Sequence, residues 1–286
     1  MNEHAHPRAD ELDSLTTREL LEVMQAEDRR AIGAVESALD TIVGAVDAIA
    51  ERLRHGGTWH YFGAGTSGRL AALDAAECPA TFGVAPELIQ SHTVGDGEAE
   101  DDAAQGRADA GSARLGADDV VVAVSASGRT AYVLAALEEA RAAGALLVAL
   151  TCAPGSPLGA GAEIAIEIDA GPEVIAGSSR LKAGTVTKVV LNMLSTGVLS
   201  QLGHTYRGRM VDLVASNQKL RARSERMVHE VTTSSVGEVK SALSEAGGSA
   251  KVAILMLRCR MTAKQARARL ASVEGDLAAA LGERRP

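Results

Sequence analysis

Two short segments of this sequence combine glycine with hydroxyl side chains, the residue types that hold a phosphate group. The first runs from Gly63 to Arg69 and the second from Ser125 to Thr130. Glycine lets the backbone approach an anion, hydroxyls donate hydrogen bonds, and a following helix offers free N–H groups and the positive end of its dipole. The segments therefore predict an anion site without a lysine clamp or a metal. The expected binding residues are Thr66, Ser67, Ser125, Ser127, Gly128 and Thr130.

The first segment also matches the bare dinucleotide fingerprint, with Gly63, Gly65 and Gly68 at the required spacing. That fingerprint requires an acidic residue for a ribose at the end of the second strand, where this sequence has His92 and Thr93. A second alternative is that the glycines only form tight turns. Two such segments, both rich in serine and threonine, favour the phosphate site.

A third segment, Gly177 to Thr185, carries three hydroxyls and two cations just before a long helical pattern. These groups cap that helix or complete an anion site, and the two roles are compatible. Ser178, Ser179 and Lys182 are the candidates for phosphate contact. Arg180 and Lys182 are also candidates for the ligand's other anionic groups, with a surface or interface cation as the alternative.

Carboxylates near these segments are candidates for proton transfer. Glu77 ends a largely apolar run, and burial in such a run raises the pKa of a carboxyl group toward neutrality. The alternative is a partly solvated glutamate at a helix end. Glu98, Glu100, Asp101 and Asp102 form an acidic run of the kind usually found on a wet surface. Spacing alone does not choose among them.

The elements that position these residues alternate along the chain. Short β-like runs, of which Val120–Val124 is continuously β-branched, predict the strands Thr58–Phe62, Leu88–Thr93, Val120–Val124, Leu146–Thr151 and Ile164–Ile168. Helical periodicity fills the intervals, at Ser67–Ala76, Glu100–Leu115, Thr130–Ala142, Leu181–Leu202 and Val211–Val231. Such alternation predicts an α/β fold with a doubly wound parallel sheet, whose ligands bind at the carboxyl ends of the strands.

Helical patterns also flank the predicted sheet. Apolar residues at three-to-four spacing across Thr16–Leu53 predict two helices that end at Gly56-Gly57. The region after the polar break at Thr232–Ser235 predicts a small helical appendage. We therefore expect N-terminal helices over 1–55, a phosphate-binding sheet domain over 56–231 and a helical domain over 232–286.

Composition limits the classes of function. The net charge of −8 argues against a nucleic-acid binder, which needs a basic face. The three cysteines are far apart and odd in number, so neither a disulfide framework nor a metal site is predicted, which fits a reducing compartment.

The polar N-terminus has no signal-peptide core, and no apolar stretch approaches the roughly 18 residues of a membrane span. His4 and His6 lack a third ligand, so we expect them to be solvated. A cytoplasmic protein is expected.

Several longer motifs resemble those of N-acetylmuramic acid 6-phosphate etherases, which have the sugar isomerase (SIS) fold. The similarity runs from about Leu15 to Leu220. The matching motifs are Tyr61–Leu70, Leu73–Pro79, Ala126–Thr130, Gly177–Thr185, Leu191–Gly197, Met210–Asp212 and Asn217–Leu220.

The resemblance implies a homodimer that acts on a small sugar phosphate and uses no metal or organic cofactor. It implies cleavage of the D-lactyl ether of N-acetylmuramic acid 6-phosphate to N-acetylglucosamine 6-phosphate and D-lactate, in cell-wall recycling. The family's essential acidic residue maps onto Glu77 in Glu77-Cys78-Pro79, and its second catalytic glutamate onto Glu100. We expect Glu77 to protonate the lactyl oxygen, and Glu100 to remove the C2 proton or handle water.

The sequence departs from the family pattern at three places. The segment between Glu77 and Glu100 is shorter than usual, Ala80 replaces a common proline, and Arg207-Gly208-Arg209 replaces Gly-Asn-Leu. Two alternatives on the same fold are a non-catalytic sensor resembling the glucokinase regulatory protein and an aldose–ketose isomerase. The sensor class carries two tandem sheet domains, which 286 residues do not hold.

Overall fold

A computed structural model describes residues 4–215 and 217–283, and the chain forms two compact units. The first comprises Met1–Ala76 and Pro86–Ser195, and the second Glu77–Ala85 and Thr196–Pro286. This division differs from the predicted one, because the N-terminal helices share a unit with the sheet and the second unit begins before residue 232.

The first unit opens with helices, and the second of them carries a strong local start signal. They are α1 (Ala9–Leu12), α2 (Thr17–Ala34) and α3 (Leu39–Arg54). Thr16 and Glu19 form a capping box, in which the Glu19 N–H donates to Thr16 Oγ1 at 3.4 Å and Glu19 Oε2 accepts from the Thr16 N–H at 2.8 Å. The two predicted helices before Gly56 are therefore confirmed as α2 and α3.

A five-stranded parallel sheet is the centre of the first unit. Its elements are β1 (Trp59–Ala64), α4 (Gly65–Phe82), β2 (Ile89–Val94), α5 (Ala103–Ser112), β3 (Val120–Val124), α6 (Ala131–Ala142), β4 (Leu146–Thr151), α7 (Pro157–Ala160), β5 (Ile164–Glu167) and α8 (Lys182–Gln201). The strand order is β2-β1-β3-β4-β5, and every pair is parallel. The order reverses beside β1, so ligands are expected at the carboxyl ends of β1 and β3. The predicted α/β fold is confirmed.

One predicted helix begins later than expected. In place of a helix from Glu100, Gly97–Asp101 forms a 3₁₀ turn and α5 starts at Ala103. Asp102 caps that helix, since its Oδ1 accepts a 2.9 Å hydrogen bond from the Gln105 N–H. Glu100 therefore lies in the turn that precedes α5.

The second unit is helical with one short hairpin. Its elements are β6 (Thr205–Tyr206), β7 (Arg209–Met210), α9 (Gln218–Thr232), α10 (Val236–Glu245), α11 (Ala250–Cys259), α12 (Ala263–Ala271) and α13 (Leu277–Ala280). The predicted helix Val211–Val231 was wrong at its start. Asn217 caps α9 by accepting from the Leu220 N–H at 2.9 Å, so the helix begins after it. Among the described residues no helix has the length and apolar character to cross a bilayer.

Candidate active site

A cleft of about 160 Å³ lies where β1, β2 and β3 end. Ala64 is the last residue of β1, Asp96 follows β2 by two residues, and Ser125 directly follows β3. This is the switch point that the strand order identifies. The cleft is lined by Ala64, Thr66, Ser67, Asp96, Glu100, Ser125, Ala126, Ser127, Thr130, Gly177 and Ser179.

The loop after β3 is held by hydrogen bonds among its own polar groups. Ser125 Oγ lies 2.8 Å from Thr130 Oγ1 and accepts a 3.1 Å hydrogen bond from the Gly128 N–H. Gly128 has a φ of +62°, and a Cβ there would collide with Ser156 Oγ. No side chain caps α6 at Thr130, so the first turn of that helix keeps N–H donors for a ligand. Ser125, Ser127 and Thr130 line the cleft, whereas Gly128 shapes the loop without lining it.

In the loop after β1, two glycines serve close packing and two hydroxyl side chains face the cleft. A Cβ on Gly63 would lie 2.8 Å from the Gly68 Cα, and one on Gly68 would lie 2.7 Å from the Gly63 carbonyl oxygen. The tight-turn interpretation therefore explains these two glycines. Thr66 and Ser67 still open onto the cleft, at the first turn of α4. The loop thus contributes hydroxyls while it holds α4 close to β1.

Two carboxylates converge over Gly65, the first residue of α4. A Cβ there would lie 2.7 Å from Asp96 Oδ1 and 2.8 Å from Glu100 Oε1. Arg69 donates to both oxygens of Asp96, at 2.9 and 3.1 Å, and to Thr66 Oγ1 at 3.2 Å. The Arg69 hydrogen bonds lower the pKa of Asp96 below its usual value. Burial first, and then the charges of Asp96 and Asp101, raise the pKa of Glu100.

Lys182 was predicted to contact phosphate, but the structure places its ammonium elsewhere. Its side chain is 3% exposed, and Nζ donates to Glu27 Oε2 at 2.6 Å. The backbone N–H groups of Lys182 and Ala183 donate to the two oxygens of Glu173, at 3.0 and 2.9 Å, so the start of α8 is already capped by a carboxylate. His6, predicted to be solvated, is 6% exposed and lies 3.6 Å from Glu27.

Ser179 and Gly177 are the residues of the third segment that line the cleft, and Ser178 does not. Glu77 also lies outside the lining. Its side chain is exposed on α4, ten residues after Ser67, which is about 15 Å along the helix axis at 1.5 Å per residue. Within the first unit, one cleft therefore holds Glu100 with every predicted hydroxyl except that of Ser178.

Sequence reasoning missed Asp96, which lines the cleft beside Glu100. Its position just beyond the end of β2 was the available signal, since side chains at the carboxyl ends of parallel strands face the ligand. Within residues 4–215 and 217–283 no group of three or more histidine, cysteine, aspartate and glutamate side chains is arranged to hold a metal ion.

Comparison with known proteins identifies the family of this chain. The SIS domain model matches residues 103–197. The N-acetylmuramic acid 6-phosphate etherase of Symbiobacterium thermophilum is 50% identical, with 86% of this chain and 85% of that protein covered. The enzyme of the same name from Rubrobacter xylanophilus is 46% identical, with 100% and 97% covered.

Solved structures support the fold. The phosphoheptose isomerase GmhA of Neisseria gonorrhoeae superposes with a TM-score of 0.51 at 22% identity, over 65% of this chain and 100% of that one. At this identity the likeness shows the fold alone, and the assignment rests on the full-length relatives. The chain belongs to the N-acetylmuramic acid 6-phosphate etherase family.

Proposed function

We propose that this chain cleaves the D-lactyl ether of N-acetylmuramic acid 6-phosphate in the cytoplasm, releasing N-acetylglucosamine 6-phosphate and D-lactate. The observation that carries the proposal is one cleft in which Glu100 shares the lining with the hydroxyls of Ser125, Ser127 and Thr130. A phosphate held by those hydroxyls and by the start of α6 fixes one end of the sugar. A carboxylate is then within the same cleft as the reacting carbons.

The reaction is an elimination followed by addition of water. In the open-chain sugar the C2 proton is acidic because it lies beside the C1 aldehyde. Glu100 takes that proton, the electron pair forms the C2–C3 double bond, and the C3–O bond to the lactyl group breaks. The pKa of Glu100 is raised above its ordinary value, which makes Glu100 a stronger base than an ordinary glutamate. Water then adds at C3 of the unsaturated aldehyde.

The departing lactyl oxygen needs a proton, and Glu77 is the proposed donor. Since Glu77 is exposed and does not line the cleft of its own chain, we propose that a homodimer brings the Glu77 of one copy to the cleft of the other. Each active site would then hold one catalytic carboxyl from each copy.

Mixing two inactive variants tests this arrangement. Glu77→Gln and Glu100→Gln should each abolish D-lactate release while sugar-phosphate binding persists. A statistical mixture of the two, unfolded and refolded together, should regain about a quarter of the wild-type activity, because half the dimers are hybrids with one intact site. Near-normal turnover of Glu77→Gln would remove its catalytic role. Two inactive parents without recovery on mixing would place both carboxyls in one chain's site.

The overall proposal is tested by D-lactate release from N-acetylmuramic acid 6-phosphate, with Ser125→Ala and Thr130→Val as phosphate-loop variants. Both variants should raise KM about tenfold or more, since each removes hydrogen bonds to a charged group. If wild type released no lactate but its melting temperature rose with the compound, a sensor would be supported instead. Aldose–ketose interconversion without lactate would support an isomerase.

A further inference from the structure

Asp96 and Glu100 form a close pair at the entrance to α4. Both carboxylate oxygens lie within 2.8 Å of the position that a Cβ on Gly65 would take, so they are no more than 5.5 Å apart, the sum of 2.7 and 2.8 Å. Glycine at this position is therefore what leaves room for two carboxylates. Both also lie beside the first turn of α4, whose N-terminal dipole favours negative charge.

The two members of the pair have different surroundings. Arg69 binds Asp96 through two nitrogens, in the bidentate geometry that is the strongest form of this ion pair. Among the described residues no arginine or lysine side chain pairs with Glu100 in this way. It accepts a hydrogen bond from the Gly97 backbone, and the charged groups that act on it are Asp96 and Asp101 of its own segment and Arg69 of α4. The helix α6 packs against the same segment and carries its charges, Glu138, Glu139 and Arg141, in its last five residues.

These contacts decide which carboxylate is the base. A carboxylate that accepts two N–H donors from a guanidinium is a weak base, and its negative charge makes a neighbouring carboxylate more basic. We propose that Asp96, clamped by Arg69, is a positioning residue that directs the C2 proton of the substrate to Glu100. The inference rests on the proposed elimination, and its new content is the division of roles between two carboxylates of one cleft.

Two substitutions on the same ion pair should act in opposite directions. Asp96→Asn removes a negative charge from beside Glu100 and should lower the pKa of Glu100. Arg69→Met removes a positive charge, leaves Asp96 free to compete for the proton, and should raise it. At 5.5 Å a single charge shifts a neighbouring pKa by roughly half a unit under full water screening, and by about one unit with less screening. The matched control is Glu98→Gln, an exposed neighbour that should leave the pKa unchanged.

The pKa is read in two independent ways on the full-length protein. The acid limb of kcat/KM for D-lactate release gives its kinetic value. A ¹³C NMR titration of glutamate carboxyls gives it without turnover, with the Glu100 signal assigned by its loss in Glu100→Gln. Opposite shifts from Asp96→Asn and Arg69→Met support the proposal. Shifts in the same direction, or none, overturn it, because loss of local structure moves both variants alike.

The same design separates this inference from the proposed function. If wild type released no lactate while the NMR titration still gave opposite shifts, the reaction would be wrong and the carboxylate pair would stand. If lactate were released and the titration showed no shift in either variant, the etherase would stand and the role of Asp96 would be refuted.

Discussion

Replacing Lys182 distinguishes a structural cation from a phosphate ligand. Its ammonium lies 2.6 Å from Glu27 Oε2, and the two side chains are 3% and 8% exposed. Lys182→Met keeps the length of the side chain but leaves the carboxylate of Glu27 in a buried site without its main partner. Removing one member of a buried ion pair costs about 3–5 kcal/mol of unfolding free energy, because the remaining charge stays desolvated.

A double variant separates the energy of the Glu27–Lys182 ion pair from that of the packing of the lysine methylene groups. Glu27→Gln with Lys182→Met removes both charges, so most of the lost stability should return, and the coupling energy should be about 2–3 kcal/mol. Arg30 also contacts Glu27, at 2.5 Å, but its side chain is 77% exposed and water replaces that partner at little cost. Urea unfolding monitored by circular dichroism gives the four free energies of the cycle.

The kinetic result of the same variants decides the role of Lys182. With Lys182 turned toward Glu27, the folded fraction of Lys182→Met should keep KM for the sugar phosphate within about threefold of wild type. A direct phosphate contact would raise KM by about 10- to 150-fold, the equivalent of 1.5–3 kcal/mol for a hydrogen bond to a charged group. Unchanged stability combined with such a rise in KM would refute the buried-pair reasoning.

Two further changes test the phosphate loop and the sheet. Gly128→Ala should raise KM at least tenfold, because its Cβ collides with Ser156 Oγ. The control is Gly155→Ala, which has a φ of +71° but nothing within 4 Å of its Cβ and should cost stability without changing KM. Equal effects of the two variants on KM would contradict this. Burial, and then the neighbouring His92, lower the pKa of His60 from 6.5 to about 4, so the unfolded chain binds an extra proton between these values. The free energy of unfolding should therefore fall as pH drops from 6.5 to 4, by at most about 3 kcal/mol. His60→Gln should flatten that part of the urea-unfolding curve against pH, and an unchanged slope would exclude His60 as its source.

The sheet and the position of the hydroxyl-rich loops at its edge could be predicted because their signals are local. Val120–Val124 and Leu146–Thr151 are strands with the predicted bounds, since a continuous β-branched or aliphatic run suits a strand buried on both faces. The hydroxyls of Ser125–Thr130 follow directly from the end of such a strand. A short loop between a strand and a helix has few ways to turn, so its residue types indicate its use.

The pairings between charged groups could not be predicted in the same way. Lys182 and Glu27 are 155 residues apart, and nothing in the Gly177–Thr185 segment indicates that its lysine turns away from the cleft. Asp96 had a local signal in its position just beyond β2, but its pairing with Arg69, on another element 27 residues earlier, had none. Local patterns indicate which groups are present, whereas the fold decides which of them meet.

The charge of the cleft bears on the proposed binding of a phosphate by neutral donors. Asp96 and Glu100 would repel a phosphate dianion if both were ionised and unpaired, and a strong cation would then be needed beside the ligand. Arg69 pairs with Asp96 through two nitrogens and offsets part of its charge. Burial and the neighbouring charges raise the pKa of Glu100. A less negative cleft favours the proposed binding of the phosphate by Ser125, Thr130 and the start of α6 through hydrogen bonds. The ion pair that makes Glu100 the stronger base of the two also lowers the electrostatic cost of binding an anion beside it.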